Sequence, residues 1–393
     1  MNKVQFLNFV LLQIYTNRSK HFSIFLISVL LIAILSSFIF ISRSLSYDIK
    51  LTLDNQADFV LQKVVAGKIV DAPMNWMDEI ISLSGVTQVS QRVYGKYFYE
   101  PAENYFIIVG VDLYDEQISS NLKKLVKDLD VEKFLSKKQM IIGSGVKNFL
   151  DEYHFFDYYT FRPVDKSIEK VYIYDTFATN SNIVSSDMII MDIGLAKKIL
   201  GIDSEYVSDI VFNVLNQDEV ETIKNKIRSS HDFNIRILSK EDFYKAYEGL
   251  FNYKSTLFLV LYLIILITFI LIIYQRYSYI NSADKKEIGI LRSIGWSINQ
   301  IISLKIVENI IIFIASFILG LNLAYIYVFI LNAPILSGLF LGFSNLPTDI
   351  SFTPIIDIST IVLIFLFFIV PIIAAVLIPV WKISITEPTE AMK

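Results

Sequence analysis

Cysteine is absent from this chain, and histidine nearly so: His21, His154 and His231 are the only three in 393 residues. The first absence rules out disulfides, thiolate metal sites and cysteine nucleophiles, and it fits any cellular compartment. The three histidines lack metal-ligand spacing and are expected as ordinary surface or interface side chains, with no metal bound. Net charge is only −4, so there is no basic footprint for nucleic acid. Catalytic signatures are missing too, with no G-x-S-x-G, H-E-x-x-H or calcium-loop pattern. Gly143-Ser144-Gly145-Val146-Lys147-Asn148 has the look of a phosphate loop but not its spacing, and Asn148 offers no magnesium-binding hydroxyl. It reads as an ordinary turn between a strand and a helix. Asp151, Glu152 and Asp157 stand among tyrosines in no arrangement that assigns an acid–base role. The chain carries no catalytic residue that its sequence can identify, and it does not read as an enzyme.

Long charge-free runs are what it does have. Hydrophobic residues make up 54% of the chain and mean hydropathy is +0.51, too apolar for a soluble protein of this length. A bilayer-spanning helix needs about 20 mostly apolar residues. Four stretches qualify: Phe22–Ser42, Ser255–Tyr274, Ile310–Leu331 and Ile358–Trp381, the last expected to kink at Pro371. Asn332–Thr348 is also uncharged, but Pro334, Gly338, Gly342 and Pro347 make it an apolar loop or shallow re-entrant hairpin. Lys3, Arg18 and Lys20 precede the first span, and Arg276, Lys285, Lys286, Arg292 and Lys305 lie between the second and third. The loop between the third and fourth has only Asp349 and Asp357. The positive-inside rule therefore places both termini and the middle loop in the cytoplasm. The first span is too long for a signal-peptide core and no small-x-small site follows it, so it is expected to stay as an anchor.

Residues 1–21 read as an interfacial helix in contact with lipid, with Phe6, Leu7, Val10, Leu11 and Ile14 on one face, or equally as the frayed start of the first span. Residues 43–254 read as a mixed α/β extracytoplasmic domain. Its expected strands are Ala57–Val65, Val86–Tyr94, Tyr97–Tyr99, Tyr105–Val111, Gln139–Ile142, Val171–Tyr174, Met188–Met191, Ile210–Val214 and Asn234–Ile237. Its expected helices are Trp76–Leu83, Gly145–Glu152, Ile193–Leu200 and Glu219–Ser230, the last capped by Asp218. The aromatic cluster around Tyr94–Tyr99, Tyr105, Phe106 and Tyr153–Tyr159 reads as core and strand-pair residues. Ser239 and Asp242 form a capping-box pattern, after which helix continues to Tyr279; Ile41–Asp54 likewise continues the first span as helix. Two spans that extend into one domain make stalks, which either convey movement or simply tether the domain.

The loop between the second and third spans, residues 275–309, contains Lys285-Lys286-Glu287-Ile288-Gly289-Ile290-Leu291-Arg292-Ser293-Ile294-Gly295-Trp296. Ile288, Leu291, Ile294, Ile298 and Ile301 recur at spacings of three and four, on one side of a helix. Lys285, Glu287 and Arg292 lie off that stripe. Such an element either meets a soluble partner or is an interfacial helix whose charges mark topology. Lys305 and Glu308 form a charged pair at the entry to the third span. No ionisable residue is expected deep in the bilayer, which argues against a secondary transporter.

The run Lys285–Gln300 closely resembles the signature of FtsX-domain permeases, the group that contains MacB, LolC/LolE and DevC. Lys286, Glu287, Ile288, Gly289, Leu291, Arg292, Gly295, Gln300 and Ile301 carry the match; Trp296 departs from the usual small residue. The ending Glu387–Lys393 is similar to the family's C-terminus. Ile107–Asp112, Met140–Gly145 and Asp187–Gly201 resemble its MacB-like periplasmic domain more loosely. The resemblance implies four membrane helices with both ends inside, and an α/β domain inserted after the first. It implies a multi-pass protein of the bacterial cytoplasmic membrane that works as the permease of a mechanotransmitting transporter. Lys286, Glu287, Gly289, Leu291, Arg292, Gly295 and Trp296 would dock a separate ABC ATPase dimer, which would carry ATP and Mg, with no cofactor on this chain. Further implied partners are a second permease copy or a related permease, and a periplasmic adaptor or substrate protein. The substrate would be a lipoprotein, lipid, peptide or small molecule. The alternative within the same resemblance is a signalling scaffold that activates an extracytoplasmic enzyme.

Overall fold

The computed structural model describes residues 3–54, 56–115, 122, 126, 130–177, 186–231, 234–278, 289–341 and 352–384. The chain divides into two compact units. One comprises Met1–Ser44, Asn252–Pro334 and Pro354–Lys393; the other comprises Leu45–Phe251 and Ile335–Thr353.

The first unit is helical. Helix α1 (Lys3–Thr16) is followed at once by α2 (Arg18–Asp54), which carries the first apolar span. The second and third spans lie on α8 (Lys240–Ser278) and α9 (Ile298–Tyr325), and α9 continues as a wider π turn over Ile326–Ile330. The short helix α10 (Leu336–Leu341) belongs to the second unit, while α11 (Ile358–Ser384) runs through Pro371. Helix α9 starts well before the expected Ile310, because Ser297 caps it and Lys305 and Glu308 pair inside the helix rather than end it. The short helix α10 lies within the expected apolar loop; Gly342–Thr348 fall outside the described residues.

Lipid offers helices no hydrophobic drive to associate, so close contact has to come from small residues. Ser316, Gly320 and Ala324 provide it, one turn apart and fully buried on α9. A Cβ at Gly320 would lie 2.9 Å from both the Ile32 Cβ and the Val29 carbonyl oxygen on α2. The Ser316 hydroxyl donates to Ile312 O at 2.8 Å in its own helix, and Phe25 O on α2 lies at 3.3 Å.

The second unit is built on a ten-stranded mixed sheet. Its strands are β1 (Phe59–Val65), β2 (Lys68–Val70), β4 (Val86–Tyr99), β5 (Asn104–Val111), β6 (Gln139–Ile142), β7 (Tyr158–Phe161), β8 (Glu169–Thr176), β9 (Met188–Asp192), β11 (Asp209–Val214) and β12 (Ile235–Ser239). Spatial order is β12-β1-β11-β4-β5-β9-β6-β8-β7, with β2 folded back on β1; β3 (Ala72–Pro73) and β10 (Tyr206–Val207) pair separately. Pairing is antiparallel except between β5 and β9 and between β6 and β8.

Side chains alternate across a strand, and here both faces find cover. Phe106, Ile108, Met140, Ile142, Ile189 and Met191 point into the main core. They pack with Ile80 of α3 (Trp76–Ile81), Phe149 of α5 (Ser144–Glu152), Ile199 of α6 (Ile193–Leu200) and Ile223 of α7 (Val220–Ser230). Val111, Ile141 and Ile190 point the other way, toward Phe134 of α4 (Val131–Ser136). Double cover explains why β6 and β9 read as unbroken apolar runs. Tyr97, Tyr99, Phe106, Phe149, Tyr159 and Phe161 meet mostly edge to face, as expected of core aromatics. Burial pushes the Tyr159 phenol far above its ordinary pKa.

Several local readings change. The two strands expected on either side of Gly95 are one continuous β4. Edge strand β7, the short strands β2, β3 and β10 and helix α4 have no counterpart among the expected elements. Asp218 does not cap α7; Asn216 accepts from the Asp218 N–H at 3.1 Å, starting a 3-10 turn before the helix. The box at the start of α8 forms as expected, the Ser239 hydroxyl donating to Asp242 at 2.7 Å and the Asp242 N–H returning to it at 3.2 Å. The Ser239 backbone N–H, which donates to the Asp242 carboxylate at 2.9 Å, and then the Ser239 hydroxyl hold that carboxyl below its ordinary pKa.

Candidate functional site

The signature segment enters the described structure at Gly289; Lys285, Lys286, Glu287 and Ile288 lie outside it, as does the tail Glu387–Lys393. A helical turn over 289–293 ends at Gly295, where φ is +96°. Trp296 N donates to Leu291 O and Gly295 N to Arg292 O, both at 3.0 Å. This is the Schellman pairing, which suits glycine in the left-handed position and satisfies two carbonyls at the helix end. Ser297 then opens α9 through a capping box: Gln300 N donates to its hydroxyl at 3.3 Å, and Ser297 N donates to the Gln300 side chain at 2.9 Å. Glycine, serine and glutamine in this motif therefore build a rigid corner.

The corner breaks the expected single stripe. Ile294, placed by periodicity on the inner face, is 69% exposed, because the chain reverses immediately after it. Leu291 does face inward, with Leu304 and with Val10 of α1. Trp296 lies against Phe6 and Phe9 of α1, ring centroids 6.3 and 5.4 Å away. Helix α1 is thus seated by Phe6, Phe9, Val10 and Ile14. Leu7 and Leu11, expected on the same face, are exposed together with Val4, Leu12 and Tyr15. Gly289 is buried and Arg292 partly so.

Below the corner, Glu308 is 1% exposed and Lys305 Nζ reaches its Oε2 at 3.1 Å, the expected pair. A third member was not expected. His21, at the start of α2, lies with Nε2 2.6 Å from Glu308 Oε1 and is itself buried, not a surface side chain. Asn309, next along α9, donates to Lys305 O at 2.7 Å. A His at the head of a charge-free span is the signal that could have found the contact, but the sequence does not say which acid it meets. His231 packs edge-on against Trp76 in the α/β domain, and His154 lies in a turn there. Among the described residues no group of three His, Asp or Glu side chains is placed to hold a metal ion.

Four helices long and apolar enough to cross a membrane, with an α/β domain between the first and second, define a multi-pass membrane protein. Residues 258–388, about a third of the chain, match the FtsX-like permease C-terminal family, so this part is an FtsX-like permease domain that contains the corner. No curated protein sequence matches the chain. Among solved structures, it is similar to the extracellular domain of the noncanonic ABC-type transporter YknZ from Gram-positive bacteria. Identity is 12%, over 47% of this chain and 100% of that one, with a TM-score of 0.31. It is also similar to the periplasmic region of MacB from Actinobacillus actinomycetemcomitans, at 9% identity over 51% of this chain and 97% of that one, TM-score 0.34.

Proposed function

We propose that this chain is the transmembrane subunit of an ABC-type export or extraction machine, driven by a separate ATPase. The supporting observation is the family match over 258–388 together with the corner at Gly289–Ser297, a capped and anchored element rather than a loose loop. In this reading Lys286, Glu287 and Arg292 contact the ATPase, while Leu291 and Trp296 hold the element against α1 and α9. Gly295 sets its backbone, and Gly289 is buried at its start. Excess Lys and Arg around it supports a cytoplasmic position, and hence an extracytoplasmic α/β domain. ATP and Mg belong to the partner. Helix α2 runs on from the charge-free stretch Phe22–Ser42 to Asp54, and α8 starts at Lys240, ahead of its apolar span Thr256–Gln275, which suits transmission of movement rather than conduction through a pore. The substrate is one met outside the cytoplasm: a lipoprotein, lipid, peptide or small molecule.

Arg292→Ala and Glu287→Ala, each co-purified with the ATPase in detergent, test the assignment. Losing a charged contact at a protein interface costs about 2 kcal/mol or more, so ATPase association should fall at least about tenfold. If both variants recover the ATPase as well as the unaltered chain, the segment is not the docking site.

A further inference from the structure

We infer that α1 and His21 form a bracket that fastens the first-span helix to the corner, with His21 a positioning residue for transmission. The inference rests on the reading of residues 286–296 as the ATPase-docking segment, and it concerns where the movement goes next.

Two contacts define the bracket, one on each side of Asn17. On the α1 side, Phe6 and Phe9 hold Trp296, the residue at the corner itself. On the α2 side, His21 Nε2 meets the buried carboxylate of Glu308, about three turns into α9. The backbone stays hydrogen-bonded across the joint, Asn17 N donating to Gln13 O at 3.0 Å and His21 N to Asn17 O at 3.2 Å. A single contact would let α9 swivel against α2. Two contacts either side of a bonded joint fix both position and orientation, so displacement of the corner carries α2 with it.

Glu308 makes the second contact costly to lose. At 1% exposure its charge has little water, and its two oxygens are met by Lys305 and His21. Removing one donor leaves a buried carboxylate short of a partner. Trp296 explains the first contact: a small side chain there would leave Phe6 and Phe9 nothing of comparable area to cover.

Absence of cysteine allows clean spin labelling of the full chain in nanodiscs with its ATPase. Labels at Tyr114→Cys, in the α/β domain, and Ile358→Cys, at the head of α11, report nucleotide-dependent movement; both sites are about 80% exposed. In the otherwise unaltered chain, ATP with vanadate should shift the distance distribution. His21→Leu and Phe9→Ala should keep ATPase association within about twofold and lose at least half of that shift. His21→Gln, which retains a donor for Glu308, should preserve it. The bracket is refuted if His21→Leu and Phe9→Ala shift like the unaltered chain, or if they lose the ATPase in parallel. It is also refuted if His21→Gln behaves like His21→Leu, because the hydrogen bond is then not what transmits. An unaltered chain that shows no shift overturns the underlying reading and the inference with it. Intact ATPase binding by Arg292→Ala overturns the docking assignment alone.

Discussion

Gly295 offers a perturbation whose cost comes from the backbone alone. Its φ of +96° lies where only glycine is at ease, yet a Cβ built there meets no atom within 4 Å. Gly295→Ala therefore brings no steric clash, and its whole penalty is left-handed strain, about 1–2 kcal/mol. That amount changes the ratio of formed to unformed corner by a factor of about 5–30. Asparagine tolerates this conformation better than alanine, so Gly295→Asn should cost less. Trp296 reports the outcome directly, since it follows the strained residue and sits on Phe6 and Phe9. The chain has three tryptophans, so replacing Trp76 and Trp381 by phenylalanine isolates its emission. Emission should move to longer wavelength in the order glycine, asparagine, alanine, and hydrogen exchange at the Trp296 amide should quicken in the same order. ATPase association should weaken alongside. If alanine matches glycine in all three measurements, the corner is not held by this backbone position and the Schellman reading is wrong. If asparagine is as harmful as alanine, strain at φ is not the cause.

Two further outcomes follow for the α/β domain. Arg92 and Asp209 form a two-pronged pair between β4 and β11 at 2.9 and 2.8 Å, with Asp209 almost wholly buried and Arg92 partly exposed. Asp209→Ala should destabilise the domain by about 3 kcal/mol, at the lower end of what breaking a buried pair costs. The double change Arg92→Met with Asp209→Leu should recover most of it, and hydrogen exchange of the β4 and β11 amides reads both. A single variant that costs less than about 1 kcal/mol would refute this. Glu169 accepts from Lys138 at 2.5 Å and from Lys198, and these bonds hold its carboxyl below the ordinary range. A depressed folded pKa stabilises above the unfolded value and is lost as pH falls through the folded one. Domain stability should thus decline through and below the usual carboxylate range, and Glu169→Gln should flatten that slope in denaturation measured against pH.

Much of the fold is legible in the sequence because its signals are local. Charge-free runs mark the four spans, and the alternation of Phe106 and Ile108, or of Ile189 and Met191, marks core strands. Strand β7 escapes because four residues at a sheet edge carry little pattern, and only Tyr159 and Phe161 turn inward. The corner is half legible. Spacing predicts one helix through Ile294 and Ile298, since a 3.6-residue period is indifferent to a single left-handed glycine between them. His21 is illegible because its meaning depends on Glu308, far away in sequence, and pairings of that kind are set by tertiary packing. The seating face of α1 is hidden in the sequence for a related reason. Its residues are apolar nearly all round, so composition alone does not separate the side that meets Trp296 from the exposed one.

Helix α2 has 37 residues and contains neither glycine nor proline, which makes it about 55 Å of uninterrupted helix. Helix α8 has 39 residues and a single glycine, Gly249, beside which nothing lies within 4 Å. The two members that leave the membrane segment are thus mechanically unequal. Helix α8 has a glycine, a residue of low helix propensity, ahead of its apolar span, and α2 has none. Under the transmission proposed above, α8 is the helix expected to bend, at Gly249, and a Gly249→Ala change should stiffen it.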